Sequence, residues 1–470
     1  MKRSIHITAI CSLLLSLLVL GCKVGRNYEP VNYEAPEGYL YDRHPGDSLR
    51  EVAWWQLFND QVLDTLIATA LQNNPDLRIA LENVEQAELA LNIQRKELLP
   101  KITVQAGATR GNFFGIQAGQ GGTSNIFTGF GNASWQIDLF GKLRRLNEAA
   151  LADYLGSEYG VRAVRLTLIS EVVRTYLSMR QFEESYRISL ANLKLRDSSL
   201  RLIQARFDQG YTAQIELDQA RIQKAIAASA VPRFKRSWLQ AQNALSILTG
   251  SLPQPPDSLR SFESLKFIPD IPAGLPSELL RHRPDMLEAE QGIIAQNALV
   301  GAAIANRWPN LNLTGAAGVV TNELENLSLQ DPAWSLSAAA LAPLFNWGQN
   351  KRRVEIERSR LEQQYLVYER TALNAFREVE DALVAIETYQ KEYKAREDHV
   401  KAALSAQYLS GERYDKGVTS YLEFLESQRQ AFDAQIERVA TRRLLLESYV
   451  LLYQSLGGGW VAEEQLTSGE

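Results

Sequence analysis

Glu423 and Glu426 stand three residues apart just past a turn at Gly417. That spacing puts both carboxylates on one face of a helix. Carboxylates crowded into a narrow passage raise one another's pKa, favour bound cations and filter ions. On a lone helix the same pair is a solvated face. A near-copy of this stretch, ARFDQGYTAQIELDQAR from Ala205 to Arg221, lies about 207 residues upstream. There Gly210 matches Gly417, and Glu216 and Asp218 follow the turn.

Catalytic chemistry has little to draw on. Beyond the first 22 residues the His residues are His44, His282 and His399, far apart in sequence and without ligand spacing. Gly115, Gly119, Gly121 and Gly122 lack the Lys-Ser/Thr of a phosphate-binding loop and lie between strands, not before a helix. The sequence therefore predicts neither an enzyme nor a metal site. The three Met of the chain supply no soft-metal relay.

The elements that would position the acidic pairs are long helices. Lys351 to Ser410 contains neither Gly nor Pro, and helical pattern resumes from Tyr421 to Tyr453. Gly417 between them marks the tip of a helical hairpin. From Lys142 to about Phe207 a second helix would span roughly 100 Å if straight. It carries two apolar rows, Val161, Val164, Leu168, Val172 and Tyr176, then Leu166, Val173 and Leu177. A helix apolar on two sides packs against two neighbours, as in a barrel of helices. Its partner, Ala213 to Thr249, is expected to bend at Pro232. An earlier helix, Val62 to Leu98, is expected to break near Pro75 and to stop at Pro100.

Between the helices the period changes to two. Ile102, Val104, Ala106 and Ala108 alternate with Thr103, Gln105, Gly107 and Thr109. The return run alternates from Phe127 to Leu139, which makes a hairpin with one apolar and one polar face. Strands of about ten residues with this pattern suit a membrane β-barrel, and also an antiparallel sheet on a soluble core. A second hairpin starts at Leu311 and returns near Trp334, Leu336, Ala338 and Ala340. Asn74-Pro75-Asp76 recurs as Arg283-Pro284-Asp285, Leu99-Pro100 as Trp308-Pro309, and Leu139-Phe140 as Leu344-Phe345. Matches at offsets of about 205 to 209 make two tandem repeats.

The expected organisation is a lipoprotein signal peptide at 1–21 and an extended N-terminal strap at 22–60. The first repeat covers 61–250, with a hairpin at about 101–139 and a tip near 210. A connector at 251–276 leads to the second repeat, 277–456, with a hairpin at about 310–342 and a tip near 417. A C-terminal tail occupies 457–470.

Lys2 and Arg3 precede an apolar run, Ile7 to Leu20, too short to span a bilayer and right for a signal segment. It ends in Val19-Leu20-Gly21-Cys22, which resembles a bacterial lipobox with Cys22 as the acylated residue. Leu20 is bulkier than usual there, and Lys23 offers no inner-membrane retention signal. The two Cys are then Cys11 in the cleaved segment and Cys22 under lipid, so stability rests on packing alone. A covalent lipid on Cys22 is the one non-protein group expected; no cofactor is. Apolar residues make up 45% of the chain, charged residues 22%, and net charge is -5, with no basic cluster interleaved with aromatics. That composition argues against disorder, a polytopic membrane protein and a nucleic-acid partner.

Four membrane-type strands cannot close a barrel, which needs at least about eight, and an open edge in lipid is prohibitive. Copies of the chain must complete the sheet; three give twelve strands. In order along the chain stand Trp55-Gln56-Leu57-Phe58, Trp135 to Gly141, Arg283-Pro284-Asp285, Trp308-Pro309-Asn310-Leu311, Arg413 to Gly417, Gln428-Arg429 and Leu456 to Trp460. With these motifs the chain resembles, from Cys22 to about Trp460, the TolC-like outer-membrane efflux proteins, in their lipidated branch that serves resistance-nodulation-division systems.

The resemblance implies a mainly α fold with membrane β: a homotrimer whose 12-stranded outer-membrane β-barrel continues into a long periplasmic α-helical barrel. It implies a passive exit duct docked to a periplasmic adaptor (membrane fusion protein) and an inner-membrane pump. Glu423 and Glu426 match the periplasmic constriction, where relatives usually carry Asp. Tyr414 matches a gate tyrosine. Thr419 replaces the Arg with which some members latch their helices. Glu216 and Asp218 are expected at the same mouth. The rival reading is a lipid-anchored coiled-coil scaffold of the envelope without a pore; it explains the lipobox and the helices but not two alternating hairpins at equivalent repeat positions.

Overall fold

The computed structural model describes residues 23–42, 54–111, 123–253, 262, 265, 276–326 and 332–458. The signal segment, Cys22, His44, Gly115, Gly119, Gly121, Gly122 and Trp460 lie outside the described residues, as does most of the connector.

Helices α1 (Gln61–Asn73) and α2 (Pro75–Lys96) are followed by strands β1 (Lys101–Gly111) and β2 (Ser124–Ile137). Next come α3 (Lys142–Asp208) and α4 (Gln214–Leu248), the latter continuous across Pro232. The order then repeats. A short α5 (Pro276–His282) and α6 (Pro284–Ala305) precede β3 (Asn310–Thr321) and β4 (Ala333–Leu341). The last two helices are α7 (Gln349–Asp415) and α8 (Tyr421–Ser455). Helices α3 and α7 each have 67 residues, and α4 and α8 each have 35.

The chain forms two compact units. One contains Asn83–Glu158 and Glu288–Glu369 with the N-terminal segment to Asn32. Its centre is a four-stranded antiparallel sheet in the order β1-β2-β3-β4. Lys101 opposes Ser134, Ser134 opposes Thr314, and Thr314 opposes Ser337. Side chains alternate between faces, so Ile102 and Val104 share a face that one chain leaves 79% and 86% exposed.

Strand β2 stops at Ile137, short of the expected Leu139, because Asp138 turns to serve the next helix. Its carboxylate accepts from the amides of Leu143 (3.1 Å) and Arg144 (3.0 Å), which otherwise lack helical partners.

Arg145 is fully buried in this unit. Its guanidinium donates to the carbonyls of Val24 (3.1 Å), Gly25 (2.8 Å) and Arg26 (3.2 Å), to Asn27 Oδ1 (3.1 Å) and to Glu148 (2.8 Å). Gly25 has φ +96, and a Cβ there would stand 2.8 Å from Gly301 Cα. The strap can run this close to α6 only as glycine on glycine.

The second unit contains Tyr33–Glu82, Tyr159–Leu287 and Arg370–Glu470. The chain breaks between α1 and α2 because Pro75 cannot donate to α1, yet suits the first turn of α2. Asn74 serves both sides: its Oδ1 accepts from Leu77 N (3.0 Å) and its Nδ2 donates to Leu248 O (2.9 Å). Arg283 holds the equivalent break, pairing with Asp285 (2.7 Å) and Glu378 (2.9 Å) and donating to Ser455 O (2.7 Å).

The end of the expected extended strap is instead a 3-10 turn, Trp54–Phe58, with Trp54, Trp55 and Phe58 buried. Trp54 stacks on Tyr453 with ring centroids 5.3 Å apart. Burying that much aromatic surface outweighs keeping the segment extended.

Candidate functional site at the helical tips

Both tips close with the same backbone device. Gly210 (φ +74) donates to Phe207 O and Tyr211 to Arg206 O; Gly417 (φ +71) donates to Tyr414 O and Val418 to Arg413 O. This six-to-one and five-to-two pair is the Schellman closure, and only glycine takes its left-handed position without strain. Two residues on, Thr212 donates to Glu216 and Thr419 donates to Glu423. Ser420 caps α8 by accepting from Glu423 N (3.2 Å).

The two hairpins meet in an apolar cluster of Ile203, Leu217, Ala220, Tyr414, Tyr421 and Leu425, flanked by Leu200, Phe207 and Phe424. Tyr414 sits at its edge. Its ring lies 5.4 Å from Tyr421 and 5.8 Å from Phe424, with the Arg206 guanidinium 4.8 Å above it. Its hydroxyl donates to Glu216 at 3.5 Å, and Arg206 reaches Asp415 at 3.5 Å. Burial first, and then the nearby Glu216 charge, push the Tyr414 phenol up; burial likewise pushes Tyr421 up to about 12. Just above, buried Arg196 donates to Gln428, which donates to Ser199 Oγ at 3.5 Å.

Glu423 and Glu426 sit on the exposed face of α8, and neither is bare. Arg413 Nη1 approaches Glu423 Oε1 at 3.3 Å from across the turn. Glu426 is held by Arg429, one turn on, at 2.6 Å and 3.0 Å, and by Gln430 at 2.9 Å. The Arg429 hydrogen bonds first, and then that of Gln430, hold the Glu426 carboxyl at about 2 in the single chain.

The structure thus brings Tyr414 and Glu216 into contact and places Gly417 at the turn itself. Asp218 is separate, bonded to Gln214 (3.0 Å) and Arg221 (3.3 Å) on its own helix. Sequence reasoning gave no role to Arg206, Arg196, Arg413 or Arg429. Arg429 left a positional signal in its three-residue spacing from Glu426, and Arg206 and Arg413 stand at matching places of the two tip repeats.

Long paired helices with closed tips and a small sheet with an exposed apolar face are features this chain shares with a class of outer-membrane channels. The outer membrane efflux protein family model matches residues 66–251 and 275–458. The solvent efflux pump outer membrane protein SrpC of Pseudomonas putida is 33% identical over 464 residues, covering 95% of this chain and 97% of its own. The cation efflux system protein CusC of Escherichia coli is 29% identical over 469 residues, covering 96% and 99%. The solved outer-membrane channel OprN superposes with a TM-score of 0.86 at 27% identity, covering 94% of this chain and all of that one. The chain belongs to the outer membrane efflux protein family. It is an outer-membrane exit duct for efflux, not an enzyme.

Proposed function

We propose that three copies close one barrel in the outer membrane and form a passive duct whose periplasmic mouth is held narrow at the tips. The observation that carries this reading is the sheet. Strands β1 and β4 are its edges, each with one neighbour, and its apolar face is exposed in the single chain. An unpaired edge in lipid is prohibitive, so neighbouring copies must supply the missing partners. Twelve strands then close with no edge left.

At the mouth, threefold symmetry turns Glu423 and Glu426 into two carboxylate rings. The resting pore is narrow and cation-selective, and it opens when the hairpins untwist around Tyr414 and Glu216. The exposed apolar tip residues Tyr211, Ile215, Val418 and Leu422 are the surface offered to a periplasmic adaptor. An inner-membrane resistance-nodulation-division pump supplies the drive. A covalent lipid on Cys22 anchors the strap in outer-membrane lipid. SrpC is named for solvent and CusC for cations; on this reading the duct is generic and the pump selects the substrate.

The test is the mass of the purified protein in mild detergent and its migration before and after boiling. Three chains that fall to one on heating are expected. A folded, stable monomer would instead support a pore-free scaffold.

A further inference from the structure

We infer the register in which the two sheet edges meet between copies: β4 of one copy pairs antiparallel with β1 of the next, Ala340 opposite Val104 and Ala339 opposite Gln105. This rests on the closed-barrel reading above and goes further, because it fixes which residues touch.

The repeat supplies the template. Inside one chain, β2 and β3 join the first repeat to the second, with Ile137 opposite Leu311. Leu139-Phe140 follows β2 and Trp308-Pro309 precedes β3, and there Phe140 stacks on Trp308 at 5.1 Å. Between copies the equivalent joint has Leu344-Phe345 after β4 and Leu99-Pro100 before β1. Phe345 and Leu99 are 74% and 59% exposed in the single chain. Carrying the β2–β3 register across sets Ala342 opposite Ile102 of the neighbouring copy. Ser337 then falls opposite Gly107, and Phe345 packs on Leu99.

Two independent constraints agree. The first is parity. Opposed residues point to the same face, and the apolar row of β4 (Trp334, Leu336, Ala338, Ala340) must continue into Ile102, Val104 and Ala106. A slip of one residue would put every side chain on the wrong face, so slips come in steps of two.

The second constraint is closure. Direct partners lead from Lys101 to Ser134, Thr314 and Ser337, and from Ser337 to Gly107 of the next copy. The path advances about six residues per copy, or about 1.5 per strand. With a rise of about 3.3 Å and a strand spacing of about 4.8 Å, the strands tilt by about 45°. Outer-membrane barrels tilt by about 35–45°. A slip of two residues gives about 54° one way, outside that range. The other way gives about 35°, at the edge of that range, and there the Phe140–Trp308 template decides, because the slip would separate Phe345 from Leu99. The tilt depends only on the advance per strand, so this constraint holds whatever the number of copies.

Cysteine pairs test it. The only native cysteines are Cys11 and Cys22, so the unsubstituted chain is the background. Opposed strand residues lie within reach of a disulfide, whereas a two-residue slip moves the Cα atoms to about 8 Å, beyond it. The full-length protein carrying Ala339→Cys with Gln105→Cys is oxidised, boiled and run without reductant. Ala339→Cys with Thr103→Cys and Ala339→Cys with Gly107→Cys are the slipped comparisons. Ala340→Cys with Val104→Cys repeats the test on the lipid face. A covalent ladder up to the closed oligomer is expected for 339/105 and 340/104, with background levels for both slipped pairs. A ladder at a slipped pair overturns the register while leaving the barrel in place. Absence of any ladder from oligomers verified by native mass overturns it too. Chains that never oligomerise overturn the barrel reading itself.

Discussion

Arg413 Nη1 and Glu423 Oε1 stand 3.3 Å apart across the turn at Gly417, one on α7 and the other on α8. Glu426, one turn further on, is tied instead to Arg429 of its own helix at 2.6 Å. The two acidic residues thus answer to different partners. A motion that spreads the hairpin strips Glu423 of its cation and leaves Glu426 unchanged.

Substituting Arg413→Ala should therefore alter selectivity more than stability. The pair is half exposed on both sides, and such pairs contribute about 0–1 kcal/mol. The melting temperature should barely move, while the cation-to-anion permeability ratio rises because Glu423 loses its local counter-charge.

Glu426 sets a pH signature. Its carboxyl titrates near 2, held down by Arg429 and Gln430. A depressed folded-state pKa keeps the charge as pH falls through the ordinary carboxylate range and gives it up only near the folded value. Cation selectivity carried by Glu426 should persist from pH 7 to about pH 3. In Arg429→Gln the titration should rise toward the ordinary range, with the Gln430 hydrogen bond left in place, read as selectivity against pH or from carboxyl chemical shifts.

Tyr414 separates ring from hydroxyl. Tyr414→Phe keeps the stacking on Phe424 and removes a 3.5 Å bond to Glu216, a loss of about 1 kcal/mol or less. Tyr414→Ala opens a cavity among Ile203, Leu217, Tyr421 and Leu425 and should cost about 3–5 kcal/mol. Amide exchange at the two tips should rise slightly in the first variant and strongly in the second.

Arg145 organises the strap. Arg145→Met takes the side-chain donor from the part-buried Val24 and Gly25 carbonyls, while Lys23 stays on Glu148 and Asn297 on the Arg26 carbonyl; two unmet carbonyls should cost about 2–5 kcal/mol. Lys cannot reproduce the fork, so Arg145→Lys should rescue little. Limited proteolysis in the segment Lys23 to Asn27 is the readout.

Much of the fold was legible because it depends on local rules. Pro75 and Pro284 mark helix starts, Pro100 and Pro309 precede strands, and alternation from Ile102 marks a sheet. Strand ends were less legible: Asp138 reads as one more alternating residue until its carboxylate caps α3. The tip chemistry was half visible. Spacing placed Glu423 and Glu426 on one face, but Arg413 reaches Glu423 only after the chain reverses, and Arg206 reaches Tyr414 from another hairpin some 200 residues away. Arg145 gave no signal, because a buried arginine that serves backbone carbonyls has no side-chain pattern to read.

The most direct test is single-channel conductance of the purified oligomer in planar bilayers, beside Glu423→Ala/Glu426→Ala. A small, cation-selective conductance that grows and loses its selectivity in the double variant is the predicted result. A variant pore identical to the wild type in size and selectivity would contradict a constriction at these two carboxylates.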